Sequence, residues 1–151
     1  IYLLLMFIGA SPGSTGGGIK TTVAAVAFLN MKSIALGRDR TEAFRTEISS
    51  ASVKRAFAII LLALLVLGIA VLLLSINDSE KGLLKLAFEA FSAFSTVGLS
   101  LGVTPNLSLL SKLVIMCVMF IGRVGALTLL FAVVTKSGGK LYRYPKEDIM
   151  F

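Results

Sequence analysis

Ala56 to Ile76, AFAIILLALLVLGIAVLLLSI, runs for 21 residues without a charge, and no other feature restricts the folds open to this chain so severely. About 20 such residues cross the roughly 30 Å hydrocarbon core of a bilayer as a helix. A core helix of a water-soluble domain would carry a polar face, and this run has none. Lys54 and Arg55 abut its front, and Asn77-Asp78-Ser79 closes it. The run predicts a transmembrane helix over 56–76. A second apolar run, Leu113 to Val134, is broken only by Arg123 and is followed by Lys136, Lys140, Arg143 and Lys146. It predicts a second crossing within a helix over 111–135, with a tail over 136–151.

Composition agrees: 56% of residues are hydrophobic and 15% are charged, against about 25% charged in an average soluble domain. There is no His and only one Cys, which excludes a Ser-His-Asp triad, a His-based zinc site and an internal disulfide. The net charge of +7 is unevenly placed. Seven Lys/Arg lie between Lys20 and Arg55, four follow Val134, and the three between Asn77 and Lys112 are balanced by Asp78, Glu80 and Glu89. The positive-inside rule then puts the basic loop and the C-terminal tail in the cytoplasm, and the segment between the crossings on the outside. The excess charge is topological, so nucleic acid is not an expected partner and membrane lipid is. The apolar start, Ile1 to Ile8, has no basic residue before it. It reads as the end of a helix that begins upstream, in a longer multi-pass plasma-membrane protein.

Between the crossings, Gly82 to Phe94 repeats Leu83, Leu86, Ala87, Ala90 and Phe94 at helical spacing but is too short to span. Ser95 to Gly102, STVGLSLG, follows with two glycines and small hydroxyls, and Thr104-Pro105-Asn106 marks a turn. A short helix and an irregular strand between two crossings read as a re-entrant hairpin. Non-helical backbone persists at membrane depth only when buried in protein or lining water. Thr96-Val97-Gly98 shares the first three residues of the TVGYG loop whose carbonyls replace a potassium ion's hydration shell, while Leu99 and Ser100 depart from it. The segment is a candidate filter strand, the alternative being a loop with a packing role only. Glu89, on the short helix, could draw cations or cap locally.

Gly9 to Gly18, GASPGSTGGG, packs five glycines and Pro12 into ten residues and cannot continue a helix. Apolar residues precede it and Thr21 to Leu29 looks helical again. The expected structure is a broken helix at membrane depth, acting as a gate; the alternative is a surface linker. GSTGGGIKT is also one residue away from a phosphate loop. Ile19 separates Gly18 from Lys20 and Thr21, and one inserted residue turns the Lys about 100° around the helix. Lys20 either serves the gate or marks the cytoplasmic side. Arg123, a charge within an apolar helix, should face the interior and find partners, among them carbonyls that a broken helix leaves free. Gly122 and Gly125 beside it permit close backbone approach. Met6-Phe7-Ile8-Gly9 recurs as Met119-Phe120-Ile121-Gly122 in the same context, which suggests an internal repeat.

MFIGASPGSTGGGIKTT, AFSTVGLSLG, MFIGRVG and YRYPKEDIM together resemble the C-terminal part of the Trk/Ktr/HKT potassium-transporter superfamily, closest to KtrB-type membrane subunits of bacterial Ktr systems. The resemblance covers essentially the whole chain. It implies an all-α membrane protein of helix–pore-loop–helix repeats, four to a polypeptide, in pseudo-fourfold symmetry around one pore. Residues 1–55 would be the end of the third repeat: its second helix, a Gly-rich intramembrane loop, a cytoplasmic helix and a linker. Residues 56–135 would be the fourth repeat, with helix 56–76, pore helix 82–94, filter strand 95–102 and helix 111–135. Residues 136–151 would be a cytoplasmic tail.

The resemblance further implies K+ held by the carbonyls of Thr96, Val97 and Gly98, with Leu99 completing the strand. It implies a gate of Gly13, Ser14, Thr15, Gly16, Gly17, Gly18 and Lys20, with Arg123 facing the pore nearby. The implied partners are the remaining repeats, a second membrane subunit in a homodimer and a cytoplasmic nucleotide-binding ring of KtrA or TrkA type. Ala126 stands where many members have Pro. The implied function is passive potassium uptake across the bacterial inner membrane, with sodium dependence left open, no covalent cofactor and no nucleotide on this chain. Two rivals remain at this level: a P-loop ATPase whose apolar runs are buried strands, and a non-conducting membrane assembly subunit.

Overall fold

The computed structural model describes residues 1–11, 13–37, 42–43 and 46–125. The expected tail over 136–151 and the end of the expected helix 111–135 lie outside the described residues. Helix α1 (Tyr2–Phe7) leads into the Gly-rich loop, and α2 (Thr21–Ala35) follows it. A two-residue antiparallel ladder, β1 (Glu42–Ala43) with β2 (Thr46–Glu47), is the only strand pairing among the described residues. Then come α3 (Ser50–Asn77), α4 (Leu83–Phe94) and α5 (Leu109–Val124).

A cap, rather than hydropathy, sets the start of α3. The Ser52 N–H donates to Ser49 Oγ at 3.3 Å, satisfying an amide that the first turn leaves free. The helix therefore begins six residues before the apolar run and takes in Lys54 and Arg55. Its 28 residues span about 42 Å, and among the described residues it is the one helix long and apolar enough to cross a membrane. Its buried stripe is Ala56, Ala63, Leu67, Ala70 and Leu74, a spacing that keeps one face inward. Only 22% of its most apolar stretch is buried, so Leu61, Leu65, Leu72 and Ile76 remain open to lipid or further protein.

Leu86, Ala90, Ala93 and Phe94 of α4 meet Leu67 and Leu74 of α3 and Ile115 and Val118 of α5 in one core. Thus α4 lies against both longer helices. From the other side α1 packs on α4, with the Phe7 and Phe91 rings 6.1 Å apart, and α2 packs on α3.

Asp78, just past α3, ties that helix to the start of α5. Its carboxylate accepts from Ser111 Oγ at 2.5 Å, Ser108 Oγ at 2.9 Å, the Ser108 N–H at 3.2 Å and Lys81 Nζ at 3.0 Å. The Ser111 hydroxyl, followed by Lys81 and Ser108, holds this carboxyl well below the usual carboxylate range, against the opposing effect of burial. Helix α5 begins at Leu109, two residues ahead of expectation, because Ser108 Oγ accepts from the Ser111 N–H. Among the described residues it runs to Val124, where Gly125 adopts φ +88°, a conformation that closes a helical segment; the remainder of the expected span to 135 lies outside the described residues.

Candidate functional site

The chain leaves α4 through a strained turn. Thr96 has φ +54° and is the one non-Gly residue with positive φ among those described. For a β-branched side chain this is a costly conformation, of order 1–3 kcal/mol, which persists only where neighbours fix it. Two bonds do so: the Thr96 N–H donates to the Ala93 carbonyl at 3.2 Å, and Thr96 Oγ1 accepts from the Gly17 N–H at 2.7 Å. The Val97 N–H still reaches back to the Ser92 carbonyl at 3.0 Å. Beyond it, Gly98 takes φ +79°, and Val97 to Ser100 are exposed without regular secondary structure. This backbone borders an open cleft of ≈ 920 Å³, lined also by Glu89, Phe120 and Arg123.

The Gly-rich loop closes on itself. Ile8 and Ile19 form an isolated parallel bridge, with the Gly9 N–H donating to the Ile19 carbonyl at 2.8 Å and the Thr21 N–H to the Ala10 carbonyl at 3.4 Å. Its tip is exposed at Gly13, Ser14, Thr15 and Gly16, where the Gly16 N–H donates to Ser14 Oγ at 3.2 Å. Its far end is buried at Gly17, against the turn after α4. A Cβ on Gly17 would stand 2.8 Å from Thr96 Cγ2 and 3.0 Å from the carbonyl oxygens of Phe94 and Gly122. A Cβ on Gly122 would overlap the Phe94 carbonyl, and one on Gly9 the Gly17 carbonyl. The last glycines of the two MFIG copies, Gly9 and Gly122, therefore both pack on Gly17. Three segments distant in sequence approach backbone to backbone here, which only glycine permits. Ser95 Oγ, facing Gly18, is buried without a hydrogen-bond partner among the described residues.

The cations stand apart from this junction. Arg123 is exposed in the last turn of α5 and borders the cleft, and it makes no hydrogen bond or ion pair among the described residues. Lys20 is exposed at the N-cap of α2, beside a smaller cavity of ≈ 260 Å³ that Gly18, Phe94 and Gly122 also line. The loop is preceded by a helix and directs Gly17 into protein, whereas a phosphate loop presents its amides to an open anion site. No group of three His, Cys, Asp or Glu able to hold a metal occurs among the described residues; the oxygens bordering the cleft are those of the backbone, of Ser and Thr hydroxyls and of the Glu89 carboxylate.

Sequence reading gave little weight to Glu89 and Asp78. Both turn out to be hubs. Glu89 accepts from Ser100 Oγ at 2.5 Å, the Leu101 N–H at 3.0 Å and Thr104 Oγ1 at 2.6 Å. The available signal was register: Glu89 falls on the same helical face as Leu86, Ala90 and Ala93, where a carboxylate needs donors.

Comparison with known proteins supplies the context. Residues 1–143 match the family model TrkH, described as a cation transport protein. The chain is 44% identical over 146 residues to the Ktr system potassium uptake protein D of Bacillus subtilis, covering 97% of this chain and 32% of that relative. It is 41% identical over 155 residues to the potassium/sodium uptake protein NtpJ of Enterococcus hirae, covering 99% and 34% respectively. Identity to the Ktr system potassium uptake protein B of Bacillus subtilis is 37% over 147 residues, covering 97% and 33%. The chain thus spans about a third of the length of these relatives.

Proposed function

Since this chain belongs to the TrkH family of cation transport proteins, we propose that it forms one quarter of a potassium-conducting pore together with the gate beneath it. The family transports cations and is not an enzyme family. The observation that carries the finer reading is the non-helical backbone from Thr96 to Ser100, exposed from Val97 onward and set on a cleft at the C-terminal end of a short helix. That end of α4 carries roughly half a negative elementary charge, which favours a cation at the Thr96-Val97-Gly98 carbonyls and Leu99. Selectivity comes from those oxygens replacing water around the ion.

In this reading residues 95–102 are the filter strand and α4 is the pore helix. Both basic regions are cytoplasmic and the hairpin enters from outside. Gly13, Ser14, Thr15, Gly16, Gly17 and Gly18 form the gate, which the Gly17–Thr96 bond fastens to the underside of the filter. Lys20 and Arg123 are the positive elements around it, Arg123 on the cleft and Lys20 on the smaller cavity. The remaining repeats, a second membrane subunit and a nucleotide-binding ring complete the assembly. Names given to the relatives, potassium uptake and potassium/sodium uptake, fit K+ as the ion and sodium as a further one.

The test is Gly98→Ser in the complete transporter, followed by uptake of rubidium and sodium tracers. A side chain at φ +79° displaces the neighbouring carbonyls. Preference for rubidium over sodium should fall at least about tenfold, or about 1.4 kcal/mol. Unchanged preference in a variant present at parental level in the membrane refutes the filter assignment.

A further inference from the structure

We propose that Glu89 is the positioning residue of the filter strand, fixing its outer half and thereby the discrimination between cations. The inference rests on the filter reading of Thr96 to Leu99 and deepens it. Glu89 is 5% exposed, on the buried face of α4. A carboxylate so placed is costly unless donors surround it. Each of the three donors above comes from one short stretch, Ser100 to Thr104, immediately beyond the exposed strand.

The backbone accounting shows what those bonds do. Buried or constrained backbone normally finds hydrogen-bond partners. Among the described residues, no backbone–backbone bond holds the strand between the Val97 N–H, bonded to Ser92, and the Asn106 N–H, bonded to Val103. Two amides in this interval are tied down: Leu101 donates to Glu89 Oε1, and Gly102 donates to Ser100 Oγ at 3.0 Å. Ser100 Oγ itself donates to Glu89 Oε1 and lies 3.1 Å from Thr104 Oγ1, which donates to Glu89 Oε2. Each of these attachments ends on the one carboxylate. The strand is therefore fixed at its inner end by the Thr96 turn and at its outer end by Glu89, with Gly98 and Leu99 suspended between. Carbonyls that discriminate ions by replacing their water must be held at a set spacing. Glu89 does this from the wall of the same cleft, through its bonds to Ser100, Leu101 and Thr104.

The chemistry fixes an order of substitutions. In Glu89→Gln the amide oxygen still accepts from Leu101 and Ser100, and the Thr104 hydroxyl turns to accept from the amide nitrogen. The network survives without the strengthening that an ionised acceptor gives. Glu89→Ala removes every acceptor at once. The measurement is the ratio of rubidium to sodium uptake by the complete transporter, normalised to protein in the membrane, with Gly98→Ser alongside. Expected is a fall in the ratio of about tenfold or more for Glu89→Ala, and a smaller fall for Glu89→Gln. Ser100→Ala and Thr104→Val should each shift it the same way, and neither should shift it further in the Glu89→Ala background, since they act through the same carboxylate.

A residue that merely stabilised α4 would lower the amount and melting temperature of the transporter and leave the ratio unchanged. If Gly98→Ser alters the ratio and Glu89→Ala does not, the positioning role is overturned and the filter stands. If neither alters it, both fall. Should Glu89→Ala fail to reach the membrane, the Ser100→Ala/Thr104→Val double variant decides: a ratio equal to the parent's overturns the proposal.

Discussion

Gly122→Ala tests the glycine junction most directly. The added methyl would overlap the Phe94 carbonyl oxygen and stand 2.7 Å and 2.9 Å from the Phe94 carbonyl carbon and Cα. These are backbone atoms at the end of α4, so no rotamer change relieves the clash. The oxygen overlap sets the movement: restoring ordinary van der Waals separation requires the ends of α4 and α5 to part by more than about 1 Å. Overpacking of this kind costs typically about 1–3 kcal/mol, and a clash between two backbones belongs at the top of that range.

The expected loss is thus about 3 kcal/mol, together with a displaced strand start. Gly68→Ala is the matched control: it sits inside α3 with nothing within 4 Å of the new Cβ, and helix propensity makes it neutral or favourable by up to about 1 kcal/mol. Both variants would be made in the complete transporter and compared by membrane abundance, thermal unfolding in detergent and rubidium uptake. The reasoning is refuted if Gly122→Ala unfolds at the same temperature as Gly68→Ala and transports equally well.

Further outcomes follow from the two bonds at either end of the hairpin. Thr96→Val keeps the shape and the positive φ but leaves the buried Gly17 N–H without its acceptor, at a cost of about 1–3 kcal/mol; Thr96→Ser should retain most of the parent's thermal stability. Equal melting of the two variants would remove the bond from the account. Asp78→Asn should lower thermal stability at neutral pH. The folded carboxyl lies below its ordinary value of 3.8, so its contribution is fully present above that value and is lost as pH falls through the folded one. The gap in melting temperature between parent and variant should hold steady down to about pH 4 and narrow only below it. A gap that closes between neutrality and pH 5 would contradict this assignment.

The one-dimensional pattern determined whatever depends on local runs. Ala56 to Ile76 has to become a helix in an apolar surrounding, because no soluble packing covers an uninterrupted apolar cylinder. Gly82 to Phe94 has to be short and one-faced, and GASPGSTGGG cannot be helical. Family membership could be read from the same motifs. Helix limits were less legible, because hydroxyls set them: Ser49 draws α3 back to Ser50 and Ser108 starts α5 at Leu109, while Gly125 closes the described helical segment of α5 within an apolar run.

Tertiary structure alone decided which glycines matter and which charges are hubs. Gly17 is far from Phe94 and Gly122 in sequence, and only packing brings these backbones within a methyl's reach of one another. From sequence Glu89 could draw cations or cap locally; the fold returns Ser100, Leu101 and Thr104 to it. The physical reason is one of range. Hydrophobic periodicity is written in neighbours three and four residues apart, whereas close backbone contact and a carboxylate's hydrogen bonds depend on where the chain comes back.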